Sequence, residues 1–347
     1  MAARRRPLGA ASPSSSATLQ RLNGDTSWLL SIPFPPRSRN QTPDSHNDDD
    51  DDDDQEERPR RYHILIDPWL APTAQTDGLA LFSRQTRVVP SCFPSIRALA
   101  SHLRALDPRH RIDAVLFSHP FTDHTHPETV LDARDVLADV HRISTPYSVH
   151  GVRSLLALPA SSKAKGSDLV LSPTGAPLTL PDSPGVQVSY LAAKEGLSPA
   201  WKKLHGAVHI SFPCPATPPP SSIGATPTTH QILYTPHGLA PTSLPPSLHA
   251  SPSSSTGGQR ILLHSFDRQS LPLVGVVSSG MPNIHALDHV WHPTAVLSTH
   301  DEDKRAEGLV ARLIQRQRYS VQEVEDCLGA HVVVRSLGVG DVLEVPP

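Results

Sequence analysis

A chain of 347 residues has room for one large domain or two ordinary ones, and its 37 prolines, against 19 glycines, are clustered without a period, which excludes collagen. The net charge of −3 includes seven consecutive aspartates at 48–54, so the rest of the chain is mildly positive and leaves no electrostatic footprint for nucleic acid. Three scattered cysteines, Cys92, Cys214 and Cys327, exclude a disulfide framework or a cysteine zinc cluster, and no apolar run approaches the roughly 18 residues of a membrane span.

Residues 1–20 are rich in Arg and Ser and free of acid, as mitochondrial presequences are. Pro7 and Pro13 interrupt any amphipathic helix there, so a tail over 1–17 on a cytoplasmic protein is expected. Composition marks 37–60, 213–229 and 244–259 as insertions that bury too little apolar surface to join a core. One domain over 18–337 would carry them, followed by a C-terminal segment over 338–347. The aspartate tract repels itself and reads as a solvated loop, with no protein partner identified for it.

Between the insertions, short apolar or β-branched runs bounded by Pro, Gly, Asn or Asp predict strands at 27–32, 63–67, 112–118, 142–145, 186–191, 208–212, 231–234, 260–264 and 295–299. Val186, Val188 and Tyr190 alternate, as do Val208, Ile210 and Phe212, the pattern of strands with one buried face. Helices are fewer. Pro94 opens one in which Ile96, Leu99, Ala100, Leu103 and Leu106 form a stripe. A second begins near Thr125, with Glu128 at capping-box spacing, and runs towards Leu137. A third carries Ala306, Leu309, Val310, Leu313 and Ile314, and a fourth runs from Ser320, with Glu323 three residues on, to Gly329. Runs of strands with intermittent one-sided helices predict an α+β fold of sheets packed together and covered outside by helices.

Twenty histidines are the compositional feature that bears on chemistry, and the informative segment runs from Asp113 through His119, Phe121, Asp123, His124 and His126 to Glu128. A buried strand leads to a turn holding His119, Asp123 and His124, and a helix leaves at once, so side chains close in sequence can face one cavity. Imidazole and carboxylate together suit zinc, iron or manganese. The chain has no Gly-rich phosphate loop and no G-x-S-x-G elbow.

This segment resembles the H-x-H-x-D-H motif of the metallo-β-lactamase superfamily, and the resemblance extends in order over about 19–337. Leu22-Asn-Gly-Asp-Thr-Ser-Trp-Leu-Leu is similar to the opening strand, His63-Ile-Leu-Ile-Asp67 to the strand ending in a structural aspartate, Gln231-Ile-Leu-Tyr-Thr-Pro-His237-Gly to the strand before Gly-Asp-Thr, and Ala295-Val-Leu-Ser-Thr-His300 to the late strand that delivers the last histidine. The phrase Asp67-Pro68-Trp69-Leu70 is most similar to the ascorbate-phosphate lactonase branch. The resemblance implies an αββα sandwich, two mixed sheets face to face with helices outside. It also implies a metal held by His119, Asp123, His124, His237 and His300, with Asp123 and His237 taking part in catalysis.

Three positions depart from the family. Phe121 stands where the second histidine belongs, His237 replaces the bridging aspartate, and the strand at 186–191 is followed by Ala193, Lys194 and Glu195 rather than a histidine. The surviving residues match one metal site, the second of the family, better than two. A hydrolase of an ester, lactone or phosphodiester, using one divalent ion (zinc, or else iron or manganese) on a small-molecule substrate, is therefore expected. The alternative is an inactive descendant that serves as an interaction module. Each residue also has a plainer role: His119 and His124 as hydrogen-bonded relics, Asp123 as acceptor for its own turn, His300 as a helix start ahead of Asp301, Glu302 and Asp303, His126 and Glu195 as surface groups, and Asp67 as a strand-end residue or partner to a histidine.

Overall fold

A computed structural model describes residues 16–35, 59–77, 81–157, 165–195, 199–214, 228–249, 258–272 and 274–346. The tail over 1–15, the aspartate tract, and most of the insertions at 37–60, 213–229 and 244–259 lie outside the described residues. Two seven-stranded sheets form the body. The first runs Val342–Val345, Ala17–Arg21, Trp28–Pro33, Arg61–Ile66, Ala114–Phe117, His141–Ser144, Asp168–Val170; the second runs Val333–Arg335, Ala295–Ser298, Arg260–His264, Thr229–Thr235, Gly206–Pro213, Gln187–Ala192, Leu178–Thr179. In each sheet one half pairs antiparallel and the other parallel.

Strand alternation explains the layering. Leu30 and Ile32 face Val208, Ile210 and Phe212 across the interior, whereas Leu29, between Trp28 and Leu30, turns outward to the helix Ile96–Leu106 through Leu99 and Leu103. On the opposite outer face, Leu233, Leu262 and Val296 pack against Ile284, Leu287 and Trp291 of the helix Gly280–Trp291 and against Val324 and Leu328 of Val321–Leu328. Both faces of both sheets are thus buried, which is the αββα sandwich expected from the sequence. No helix among the described residues is long and apolar enough to cross a membrane.

All nine predicted strands form, within a residue or two at each end. The helix boundaries needed correction. Ser95, not Pro94, caps the first helix by accepting from Ala98 N–H. The second is capped by His126 and divides into Pro127–Asp132 and Arg134–Ala138. The third shrinks to Leu309–Leu313, because Gly308 (φ 91°) breaks the pattern and Arg305–Glu307 pairs as a strand with Arg84–Thr86. A Cβ on Gly308 would lie 2.7 Å from the carbonyl oxygens of both Leu81 and Phe82, so only glycine fits that crossing. The fourth helix carries the capping box between Ser320 and Glu323 and stops at Gly329 as expected. The domain extends past residue 337, since Val342–Val345 adds an edge strand beside Ala17–Arg21. Leu244, inside the predicted insertion at 244–259, is buried.

Two histidines in the sheets make stability depend on acid. Burial pushes His63 down to about 3 and His209 down to about 4. The unfolded chain takes up protons below about pH 6.5 that the folded chain refuses, so stability is full above that pH and falls as pH drops towards 4. For His209 alone the loss is on the order of 3 kcal/mol by about pH 4. Thermal melts from neutral to about pH 4 should show a steep fall that His209→Gln makes shallower; a flat profile for the unmodified protein contradicts the assignment.

Candidate metal centre

Strand ends from both sheets meet at one edge. The fully buried strand Ala114–Phe117 delivers Ser118 and a turn in which the N–H groups of His124 and Thr125 both donate to the Phe121 carbonyl at 3.0 Å, wrapping Asp123 and His124 inward. The helix then starts at Pro127, with His126 Nδ1 accepting from Thr129 N–H at 3.3 Å. From the facing sheet, Thr229–Thr235 ends two residues before His237. The next residue, Gly238, has φ 109°, and a Cβ there would sit 2.7 Å from Ser279 Cβ, so glycine is what lets the turn close. Ala295–Ser298 delivers His300, held at φ 63° with its N–H donated to the Asp25 carbonyl at 2.9 Å.

The ring nitrogens of these histidines can be assigned from their outer partners. His124 Nδ1–H donates to Asp67 Oδ2 at 2.7 Å, His237 Nδ1–H to the Val277 carbonyl at 3.2 Å, and His300 Nδ1–H to Asp25 Oδ1 at 2.7 Å. Each bond fixes the tautomer and leaves the Nε2 lone pair for the interior. His124 Nε2 and His237 Nε2 then lie 3.1 Å apart, and ligand atoms of His124, His237 and His300 all lie within 4.8 Å of one another. Two lone pairs at that distance repel unless a proton or a cation lies between them. Around a tetrahedral zinc, with bonds of about 2 Å, neighbouring ligand atoms stand about 3.3 Å apart, so the spacing suits an ion. Asp123 completes the set: its Oδ1 is buried without a hydrogen-bond partner, 3.7 Å from His124 Nε2, and its Oδ2 is 3.7 Å from His300 Nε2.

Charge and burial act together here. Burial resists the charged form of His124, but Asp123 and Asp67 outweigh it and hold its pKa above the ordinary histidine value. His237 is driven well below that value by burial first, then by the neighbouring imidazoles. His124 is thus the more basic of the pair, and a cation between the two Nε2 atoms, a proton or a metal ion, would relieve their 3.1 Å contact. Burial also works against ionised Asp123, yet His124, Lys304 and His300 keep it below the usual carboxylate range.

His124, His237, His300 and Asp123 converge as expected, whereas His119 falls in a separate candidate group, with Asp67 and His124, whose ligand atoms also lie within 4.8 Å of one another. His119 Nδ1 lies 2.7 Å from Ser118 Oγ and its Nε2 3.2 Å from the Leu204 carbonyl oxygen, with its ring 4.7 Å from that of His124 and 5.0 Å from that of His237. Phe121 lies beside the site, its ring 6.0 Å from that of His237. Glu195 is exposed and accepts from Thr242, as its plainer reading held. His126 departs from its surface reading: it is buried, stacked on Trp69 at 5.6 Å. No helix follows His300, which removes its reading as a helix start. Asp123 accepts nothing from its own turn. Sequence reasoning missed Asp25 and Lys304, which form the wall behind His300: Lys304 Nζ is 2.7 Å from Asp25 Oδ2 and 3.4 Å from Asp123 Oδ2.

No family model matches the sequence and no curated protein matches it. Among solved structures the chain is similar to an isothiocyanate hydrolase from Delia radicum gut bacteria, with a TM-score of 0.53 and 14% identity over 95% of this chain and 100% of the other. It is also similar to unliganded yeast PDE1, with a TM-score of 0.50 and 10% identity over 96% of this chain and 100% of the other. The fold is an αββα sandwich of the metallo-β-lactamase type, and the His/Asp cluster described above sits at its edge.

Proposed function

We propose that this protein is a metal-dependent hydrolase of an ester, lactone or phosphodiester bond in a small molecule, working in the cytoplasm with one divalent ion. The observation that carries the reading is the pair of buried Nε2 atoms 3.1 Å apart on His124 and His237, each with its Nδ1 hydrogen already committed outward. His124, His237, His300 and Asp123 would hold the ion, and three imidazoles with one carboxylate favour zinc, with iron or manganese as alternatives. Such an ion, when bound, polarises a scissile carbonyl or phosphoryl oxygen and acidifies water. The chain's own contribution is orientation. Asp67, Val277 and Asp25 hold the three rings with their lone pairs inward, and burial with the neighbouring imidazoles disfavours protonation of His237, leaving its Nε2 lone pair for an ion.

Phe121 supports the other reading, an interaction module that has lost one ligand position, and the same experiment separates them. Purified protein is expected to hold about one zinc, iron or manganese ion per chain, and Asp123→Ala or His300→Ala should abolish both retention and hydrolysis of model esters, lactones or phosphodiesters. Metal-free protein whose melting temperature is unmoved by added zinc, and by His300→Ala, would make the hydrolase untenable.

A further inference from the structure

Lys304 occupies an unusual place for a lysine. Its side chain is only 9% exposed, and it extends from a segment four residues beyond His300 back into the metal centre. There its ammonium lies 2.7 Å from Asp25 Oδ2, 3.4 Å from Asp123 Oδ2, 3.4 Å from His300 Nδ1 and 5.4 Å from the centre of the Trp69 ring. Asp25, Asp123 and His300 are themselves a triad whose ligand atoms lie within 4.8 Å of one another; it shares His300 with the group formed by His124, His237 and His300, and its two carboxylates are what it adds. Two carboxylates and an aromatic face are what a buried ammonium requires, and the carboxylates are also what a divalent ion would seek.

Building on the metal centre proposed above, we propose that Lys304 is the resident cation of the Asp25–Asp123–His300 triad, and that it limits the centre to a single metal ion. The charge balance supports this. Asp25, Asp67 and Asp123 are three buried carboxylates, and one ammonium with one divalent ion neutralises them; a second divalent ion would leave a buried excess of about two positive charges beside the ammonium, but only about one without it. Lys304 also divides the work of Asp123. It engages Oδ2, and Oδ1, without a partner of its own, is left facing His124. Asp25 is likewise shared: Oδ1 orients His300 while Oδ2 meets the ammonium. Lys304 is thus a positioning residue, acting on the centre through Asp25 and Asp123.

The test counts metal. Lys304→Met keeps an apolar stem against Trp69 and removes the charge, while Lys304→Arg keeps the charge. After saturation with zinc and removal of the free ion, wild-type protein and Lys304→Arg should hold about one ion per chain and Lys304→Met about two. Metal-free Lys304→Met should melt well below wild type, and added zinc should restore it. The gain of one ion on neutralising Lys304 is the supporting result, whatever the wild-type count. A wild-type count of zero sinks the metal-centre reading alone, whereas an unchanged count in folded Lys304→Met overturns the role of Lys304. If Lys304→Met folds only with metal, refolding in zinc reads the same count. The double variant Asp25→Asn with Lys304→Met, which removes the carboxylate along with the ammonium, should return to the wild-type count; retention of the extra ion there would overturn the triad.

Discussion

Replacement of Asp67 by alanine is expected to destabilise the protein by about 3–5 kcal/mol, the cost of breaking a buried charged network. Asp67 is fully buried at the end of Arg61–Ile66, with φ 43° ahead of Pro68. Its carboxylate accepts four hydrogen bonds: Ser118 N–H at 2.7 Å on Oδ1, and on Oδ2 Ser118 O–H, His124 Nδ1–H at 2.7 Å and Tyr234 O–H at 2.8 Å. Those donors come from the loop after Ala114–Phe117 and from Thr229–Thr235 in the facing sheet, so one carboxylate ties the two sheets together beneath the candidate metal centre. Alanine would leave Ser118 N–H and His124 Nδ1–H without this acceptor in a buried site, while Tyr234 O–H keeps only the Thr26 carbonyl at 3.3 Å and Ser118 O–H only His119 Nδ1 at 2.7 Å. Asparagine, which tolerates the positive φ, separates backbone from charge: its single oxygen on the Oδ2 side still meets His124 Nδ1–H, but without the carboxylate charge that raises the basicity of the ring, and Ser118 N–H loses its acceptor. Outer partners of metal-bound histidines typically contribute 10–100-fold in affinity, and Asp67→Asn should weaken zinc binding by about that factor while costing less stability than alanine. Denaturant unfolding and zinc titration measure the two effects separately. A loss within about 1 kcal/mol for Asp67→Ala would show that the donors find other partners.

How much of this was legible in the sequence depended on how locally each feature was written. Asp123 and His124 share one turn with the strand before it and the helix after it, so both the elements and the chemistry show in a stretch of a few residues. His237 and His300 could be placed only through the order of their strands. Asp25 and Lys304 were hidden by their surroundings. Asn23-Gly24-Asp25 has the composition of an ordinary turn, and Asn23 does make the turn by accepting from the N–H groups of Asp25 and Ser27. Lys304 follows Asp301, Glu302 and Asp303, which read as first-turn carboxylates of a helix starting at His300. In the fold Asp301 accepts from the N–H groups of Phe266 and Asp267, and Glu302 accepts from those of Val88 and Val89, so the run is a set of loop ties with a buried lysine behind it. A single lysine spaced four residues from a candidate ligand was the one available signal. The helix Gly280–Trp291 escaped notice for a different reason: its first turn contains Gly280 and Pro282, and Ser279 makes no side-chain cap, so only burial of Ile284, Leu287 and Trp291 against the sheet sustains it.

Trp28→Ala should have the next largest effect, about 3–5 kcal/mol, and should reach the metal centre as well. Trp28 begins the second strand of the first sheet and is completely buried in the layer between the sheets, so truncation removes a large aromatic surface and leaves a cavity between two layers that cannot both collapse onto it. Its indole N–H donates to Thr299 Oγ1 at 3.0 Å, and Thr299 O–H in turn donates to the Asp25 carbonyl at 2.9 Å. The ring therefore anchors the residue just before His300 and the turn that carries Asp25, two supports of the same ligand. Trp28→Phe separates packing from the hydrogen bond: it keeps most of the apolar contact, and its cost should be nearer 1–2 kcal/mol. For a domain of this size each kcal/mol shifts the melting temperature by roughly 2–4 °C, so alanine should lower it by about 10 °C and phenylalanine by less than half of that. Zinc affinity should fall in both variants, because both release Thr299. If Trp28→Phe binds zinc as tightly as wild type, the chain from indole through Thr299 to Asp25 does not hold His300 in place, and the orientation of that imidazole rests on its own bond to Asp25 Oδ1 alone.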